Sequence, residues 1–169
     1  SADLGLTVAD FRAGERTFQL LTQVAGRAGR GERPGQAIIQ TLYPNHYSIR
    51  YACEQLYSPF YEEELGFRRA MHYPPFLWLV CAVVRGKVMD AVMRDAGRLA
   101  TRLRSSRSRF TVLGPAPAPI TKLRGQYRVQ LLLKGPYRRE MRDSLLDCLA
   151  EHPELKRRVV IDVDPLSML

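Results

Sequence analysis

The stretch FLWLVCAVVRGKVMDAVMRDAGRLATRLR, residues 76–104, decides how the second half of the chain is built. Its first ten residues form an apolar, aromatic run suited to a buried strand. From residue 90 the period changes to that of a helix. Val92, Ala96, Leu99 and Leu103 fall on one face, while Arg94, Arg98 and Arg102 lie opposite, four residues apart. Working outward, 110–114 reads as a second strand and 127–134 as a third. Residues 136–151 make a second amphipathic helix with Met141, Leu145, Cys148 and Leu149 inward. Residues 158–163 supply the fourth strand.

That order, β-α-β-β-α-β, predicts a ferredoxin-like split βαβ domain of the α/β (α+β) class. A chain of 169 residues has room for one ordinary domain or two small ones. The boundary is expected at 72–75, where Pro74 and Pro75 interrupt helical patterning. Before it, 14–30 reads as a helix with an apolar stripe of Phe18, Leu21, Ala25 and Ala28. Residues 31–35 form a turn, 36–42 a short strand-like run, and 46–71 one or two helices. The expected division is 1–45, a helical linker over 46–74, and the split βαβ domain over 75–169.

Apolar content of 46% with 25% charged residues is that of a globular chain. No apolar run reaches the roughly 18–20 residues of a membrane span. The first residues lack the basic and apolar regions of a signal peptide and an initiator Met, so a piece of a longer protein is expected. Cys53, Cys81 and Cys148 stand far apart, which suits a reducing cytoplasm and neither a disulfide framework nor a zinc site. The net charge of +9 is concentrated: residues 94–142 hold thirteen Lys and Arg against Asp95 and Glu140. Such a block suggests a polyanion partner such as nucleic acid, the alternative being a solvated basic surface.

The most specific motif is QVAGRAGR, residues 23–30. On a helix Gln23, Arg27 and Arg30 fall at i, i+4 and i+7 and share a face. Gly26 and Gly29 allow close backbone approach on its flank. Converging guanidinium groups suit a multiply charged phosphate and, in phosphoryl transfer, stabilise the charge on the transferred group. The alternative is a glycine-containing helix end with solvated arginines.

A second candidate site is the segment 114–126 with the strand that follows. Three prolines stiffen it as a loop, and Lys122, Arg124 and Arg128 place charge near Tyr127, a combination able to track phosphates and stack a base. A third is the start of the second amphipathic helix, where Arg138 and Arg142 lie one turn apart beside Arg139. They can clamp a carboxylate of an acidic peptide or stand solvated. His46, His72 and His152 are isolated, which argues against metal binding. Asp162 and Asp164 are expected to share a strand face and pair with arginines.

QVAGRAGR resembles the sixth motif, QxxGRxGR, of superfamily 2 ATP-dependent helicases. Its surroundings, Ala9-Asp10-Phe11-Arg12 and 15–22, are similar to the PriA family of primosomal helicases. So are 113–120, 122–128 and the ending Ile161-Asp162-Val163-Asp164-Pro165. The resemblance implies that residues to about 42 end the second RecA-like helicase lobe, with Arg30 as arginine finger and Arg27 and Gln23 beside it. It implies a C-terminal domain that binds branched and single-stranded DNA and the tail of the single-stranded DNA-binding protein, for which Arg138 and Arg142 are the candidates. Other primosome proteins are implied partners, a membrane is not, and a nucleoid-associated cytoplasmic place follows.

This chain has no GxxxxGK[ST] loop and no DEAH-type motif. ATP and Mg²⁺ are therefore expected on a lobe outside it, zinc on cysteines upstream of it, and no cofactor or metal in it. The implied parent is a 3′-to-5′ DNA helicase that acts at stalled or branched forks and restarts replication through primosome assembly. The rival readings are a non-catalytic fork-DNA binding module and an RNA-binding protein of ribosomal type.

Overall fold

The computed structural model describes residues 3–7, 10–28, 36–105 and 108–167. They form two compact units that divide between Met71 and His72.

In the first unit a short helix α1 (Asp3–Leu6) precedes α2 (Ala13–Ala28), α3 (Tyr47–Glu54) and α4 (Tyr57–Ala70). The apolar stripe of α2 turns Phe18 and Leu21 inward against Ile49, Ala52 and Phe60. Phe18 and Phe60 stack face to face with centroids 3.9 Å apart. Residues 46–74, expected to be a linker, thus supply α3 and α4 to the same core as α2, because their apolar faces are buried against it. Gln55 breaks the helical run by adopting a left-handed conformation, φ 55°, which separates α3 from α4. The strand expected over 36–42 is irregular. Asp3 accepts hydrogen bonds from the Thr41 hydroxyl and the Leu42 amide, while Ile38 is 87% exposed.

The second unit follows the order β1 (Trp78–Gly86), α5 (Met89–Ser105), β2 (Thr111–Leu123), β3 (Gln126–Gly135), α6 (Arg138–Ala150), a single turn α7 (Pro153–Lys156) and β4 (Val159–Val163). The sheet order is β2-β3-β1-β4, with every neighbouring pair antiparallel. This is the β-α-β-β-α-β arrangement expected from the sequence. Strand alternation sends Val80, Ala82 and Val84 of β1, and Val129, Leu131 and Leu133 of β3, to one face. There α5 lays Leu99, Ala100 and Leu103, and α6 lays Met141, Leu145 and Leu149, into a continuous core.

The segment 114–126 is not the expected loop. Thr111–Leu123 is one long strand, and with β3 it makes a hairpin closed by two residues. Prolines 115, 117 and 119 are tolerated because β2 is an edge strand, where a missing N–H on the outer side breaks no ladder. Register shifts between Leu113 and Ala116 and between Pro117 and Lys122 absorb the irregularity. Arg104 of α5 ties the strand down by donating to the carbonyls of Val112 and Gly114.

Candidate nucleic-acid interface

The opposite face of the sheet bears the residues of other parity: Val83 and Arg85 of β1, Gln126 and Arg128 of β3, and Val160 of β4. Arg85 and Arg128 are direct cross-strand partners. At this end of the face, where β1 finishes and β3 begins, a shallow cavity of about 260 Å³ is lined by both arginines, by Arg124 and by Leu123, Gln126 and Val160. A second hollow shares Arg85 and Gln126 with it and adds Lys87, Arg157 and Arg158. Among the described residues, no acidic side chain lines either one.

The cations of this end differ in how they are held. Arg158 donates to Asp95 at 2.7 Å and so forms a partly neutralised wall. Arg128 reaches the Ile120 carbonyl at 3.4 Å. Arg85 keeps a buried Nε with no hydrogen-bond partner among the described residues. Arg124 occupies the first position of the hairpin turn at φ 50°, followed by Gly125 at φ 76°. Two consecutive positive φ values make a type I′ turn, which suits right-twisted strands but favours Asn, Asp or Gly in place of Arg.

Farther along the face, Cys81 is opposite Asp162. Burial pushes the Cys81 thiol up to about 11, with Asp162 adding to the shift and Arg128 opposing it, so the group is a neutral thiol at neutral pH. Tyr73 covers Lys134, whose ammonium lies 3.8 Å from the ring centroid.

The four residues singled out from the sequence do not form one surface. Arg124 and Arg128 line the cavity. Tyr127 turns to the helix-covered face and packs against the cluster of Val84, Val92, Ala96 and Val129, with Lys122 above its ring at 4.9 Å. That parity is set by pairing: Lys122 opposes Tyr127, and Tyr127 opposes Gly86. Arg85, Lys87, Gln126 and Arg157 escape a reading of local composition. The available signal is alternation, since two strands with arginines of matching parity can present them together.

Arg138 and Arg142 open α6. Arg138 lies 4.8 Å over the Trp78 ring and bridges to Asp164 at 3.2 Å. Asp164 has already left β4, at φ 55°, so it does not continue the strand face of Asp162. Arg142 donates to Asp143, and this hydrogen bond holds that carboxyl below its usual range. In the first unit Gln23 and Arg27 are exposed on α2, one turn apart and away from Phe18 and Leu21. Arg30 lies outside the described residues. Among the described residues no group of three or more His, Cys, Asp or Glu side chains could hold a metal ion. No helix among them is long and apolar enough to cross a membrane.

Residues 69–166 match the family model described as the primosomal protein N C-terminal domain. Similar curated proteins include the replication restart protein PriA of Bacillus subtilis, 39% identical over 100% of this chain and 22% of that protein. The replication restart protein PriA of Haemophilus influenzae is 36% identical over 99% of this chain and 23% of its own length. That of Chlamydia pneumoniae is 36% identical with the same coverage. The chain thus spans under a quarter of the length of these relatives. With a family model covering the whole split βαβ unit, and similarity to these relatives running on through the helices before it, the chain belongs to the primosomal protein N (PriA) family and carries its C-terminal domain.

Proposed function

We propose that this chain is the C-terminal part of a replication restart protein, and that its second unit binds DNA through the phosphate backbone. One observation carries the reading: Arg85, Arg124 and Arg128 converge with Lys87 and Arg157 on one end of an open sheet face, and among the described residues its lining has no acidic side chain. A basic surface of this kind gives salt-dependent binding with little sequence information. The names of the relatives support a restart role.

In the intact parent the reaction is ATP-driven unwinding at stalled or branched forks, with 3′-to-5′ polarity, leading to primosome assembly in the nucleoid. ATP with Mg²⁺ belongs to a lobe outside this chain, and zinc to cysteines upstream. The contribution from this chain is the motif helix: exposed Gln23 and Arg27, followed by Arg30 as the arginine finger. The start of α6, with Arg138 and Arg142, is the proposed seat for the acidic tail of the single-stranded DNA-binding protein. Binding there exchanges the bridges to Asp164 and Asp143 for bonds to the peptide.

The test is fluorescence anisotropy of the chain with a fork, a blunt duplex, a single strand and a matched RNA across a salt series. Tighter binding to DNA that weakens steeply as salt rises is expected. Preference for RNA overturns the restart reading. In the full-length parent, Arg30→Ala is expected to abolish DNA-stimulated ATP hydrolysis while DNA binding persists; unchanged hydrolysis removes the finger assignment. A binding-only module is the second reading, favoured by the location of the whole basic site in the second unit. An intact phosphate loop in the parent would exclude it.

A further inference from the structure

We infer that β4 is a pairing edge through which two copies of this chain join, so that one sheet runs on into the other. The inference is independent of the DNA-binding reading, because it rests on the main chain and apolar side chains of a sheet edge. The two edges of the sheet differ. β2 forms one and carries Pro115, Pro117 and Pro119, which deny an incoming strand its donors. β4 forms the other, and its sequence VVIDV contains no proline, lysine or arginine. A regular apolar edge of this kind is a template for a further strand.

The hydrogen bonds of β4 determine which of its main-chain groups face outward. The Arg85 amide donates to the Arg158 carbonyl and the Asp164 amide to the Leu79 carbonyl, each at 2.9 Å. Both pairs continue the register in which Val80 opposes Val163 and Val84 opposes Val159. Residues 158, 160, 162 and 164 thus turn their amides and carbonyls to β1. By alternation, Val159, Ile161 and Val163 turn theirs outward. Among the described residues, no turn or loop main-chain hydrogen bond engages those outward groups. Two copies of β4 laid antiparallel about Ile161 bring Ile161 against Ile161 of the second copy, and Val159 against Val163 in both directions. Each of these pairs exchanges both N–H···O bonds, so every outward amide and carbonyl from Val159 to Val163 is satisfied.

The same register suits the side chains. Val159, Ile161 and Val163 lie partly buried beside the core of the second unit, and pairing sets β-branched groups against one another. Val160, 43% exposed, comes opposite Asp162 of the second copy, so no two carboxylates meet. Arg157 and Arg158 lead into the strand, while Asp162 and Asp164 end it. Antiparallel pairing therefore brings base to acid at both ends, whereas parallel pairing sets like charge against like. A twofold interface requires one patch to complement itself, and β4 does so in hydrogen bonds, shape and charge. That self-complementarity selects a second copy of this chain as the occupant over an unrelated strand.

The experiment is sedimentation velocity of the 169-residue chain across about 5 to about 500 µM, a range suited to an interface at the small end of specific contacts. A reversible monomer–dimer equilibrium is expected. Ile161→Pro deletes an outward N–H and no bond of the β1 ladder, and is expected to raise the dissociation constant about tenfold or more. Trp78 fluorescence checks that the second unit of this variant stays folded. A second variant does not depend on proline. In a Cys53→Ser background, Ile161→Cys places its thiols across the twofold axis, within disulfide reach, whereas Val159→Cys places them too far apart. With oxidised glutathione, Ile161→Cys is expected to form a covalent dimer about tenfold faster or more than Val159→Cys. Equal rates overturn the pairing. Dimerisation unchanged in a folded Ile161→Pro variant locates association elsewhere and overturns the edge. A chain that stays monomeric throughout overturns the inference. If that monomer captures a labelled peptide of alternating Thr and Val, the edge takes a foreign strand and the second copy is the wrong occupant.

Discussion

Arg85 of β1 and Arg128 of β3 are register partners in an antiparallel pair, so two guanidinium groups share one rung of the sheet. Opposite-charge pairs contribute about 0.2–1 kcal/mol at such positions and like charges destabilise. Replacing one arginine by glutamine should therefore stabilise the second unit by a few tenths of a kcal/mol, raising its melting temperature by a few degrees. Trp78 is the single tryptophan and sits in β1, so its fluorescence follows this unit alone. A lower midpoint for both Arg85→Gln and Arg128→Gln would show that the aliphatic stems contribute more than the repulsion costs.

The hairpin turn makes an independent case of the same trade. Arg124 is at φ 50° and Gly125 at φ 76°, the conformations for which Asn-Gly is preferred. Arg124→Asn should stabilise the unit by roughly 1 kcal/mol, since Asn visits the left-handed region at less cost. It removes one cation from the cavity. The expected result is a higher Trp78 midpoint together with weaker DNA binding. A stabilised variant with unchanged affinity would remove Arg124 from the interface.

Much of this architecture is legible in the sequence because its signals are local. The apolar run ending in β1, the 3.6-residue stripe of α5 and the inward residues of α6 each lie within a few turns or rungs. The β2 arm is not legible in that way. Pro115, Pro117 and Pro119 argue for a loop unless the strand is known to lie at a sheet edge, and edge position is a property of the whole sheet. The site is affected more strongly. A shift of one residue exchanges the two faces of a strand, so adjacent Tyr127 and Arg128 serve opposite sides. Arg85 hides in an apolar run, and its partner is 43 residues away across the ladder. The first unit shows a similar limit, because the apolar faces of α3 and α4 reveal nothing of α2 until the three helices pack.

In the first unit, Glu64 is 6% exposed and accepts from the Tyr47 hydroxyl at 2.6 Å and from Arg68 Nε at 2.7 Å. Arg68 also donates to Glu15 at 2.7 Å, which ties α4 to the first turn of α2. Removing a buried carboxylate that satisfies two donors leaves both poorly paired. Glu64→Ala should cost about 3 kcal/mol, whereas Glu64→Gln retains an acceptor for Tyr47 and costs less. Circular dichroism, which reports the helices of both units, should show an earlier transition with the Trp78 transition in place. A shift of both transitions by the same amount would mean that the two units unfold cooperatively.

His46 provides a pH-dependent cap. It sits at the N-cap of α3 with φ −64° and ψ 130°, and its Nδ1 accepts from the Ser48 amide at 3.3 Å. Burial holds the imidazole below its usual pKa, with Glu63 and Glu64 opposing that shift. Since the folded-state value lies below the unfolded one, stabilisation is complete above about 6.5 and is lost as pH falls through the folded-state value. Protonation turns Nδ1 from an acceptor into a donor, and the cap fails. His46→Asn keeps a capping acceptor without a titrating group. Its melting temperature, followed by circular dichroism, should fall less between pH 7.5 and pH 5 than that of the parent chain, by an amount equivalent to about 1 kcal/mol of cap energy. Parallel pH profiles for the two proteins would remove His46 as the switch.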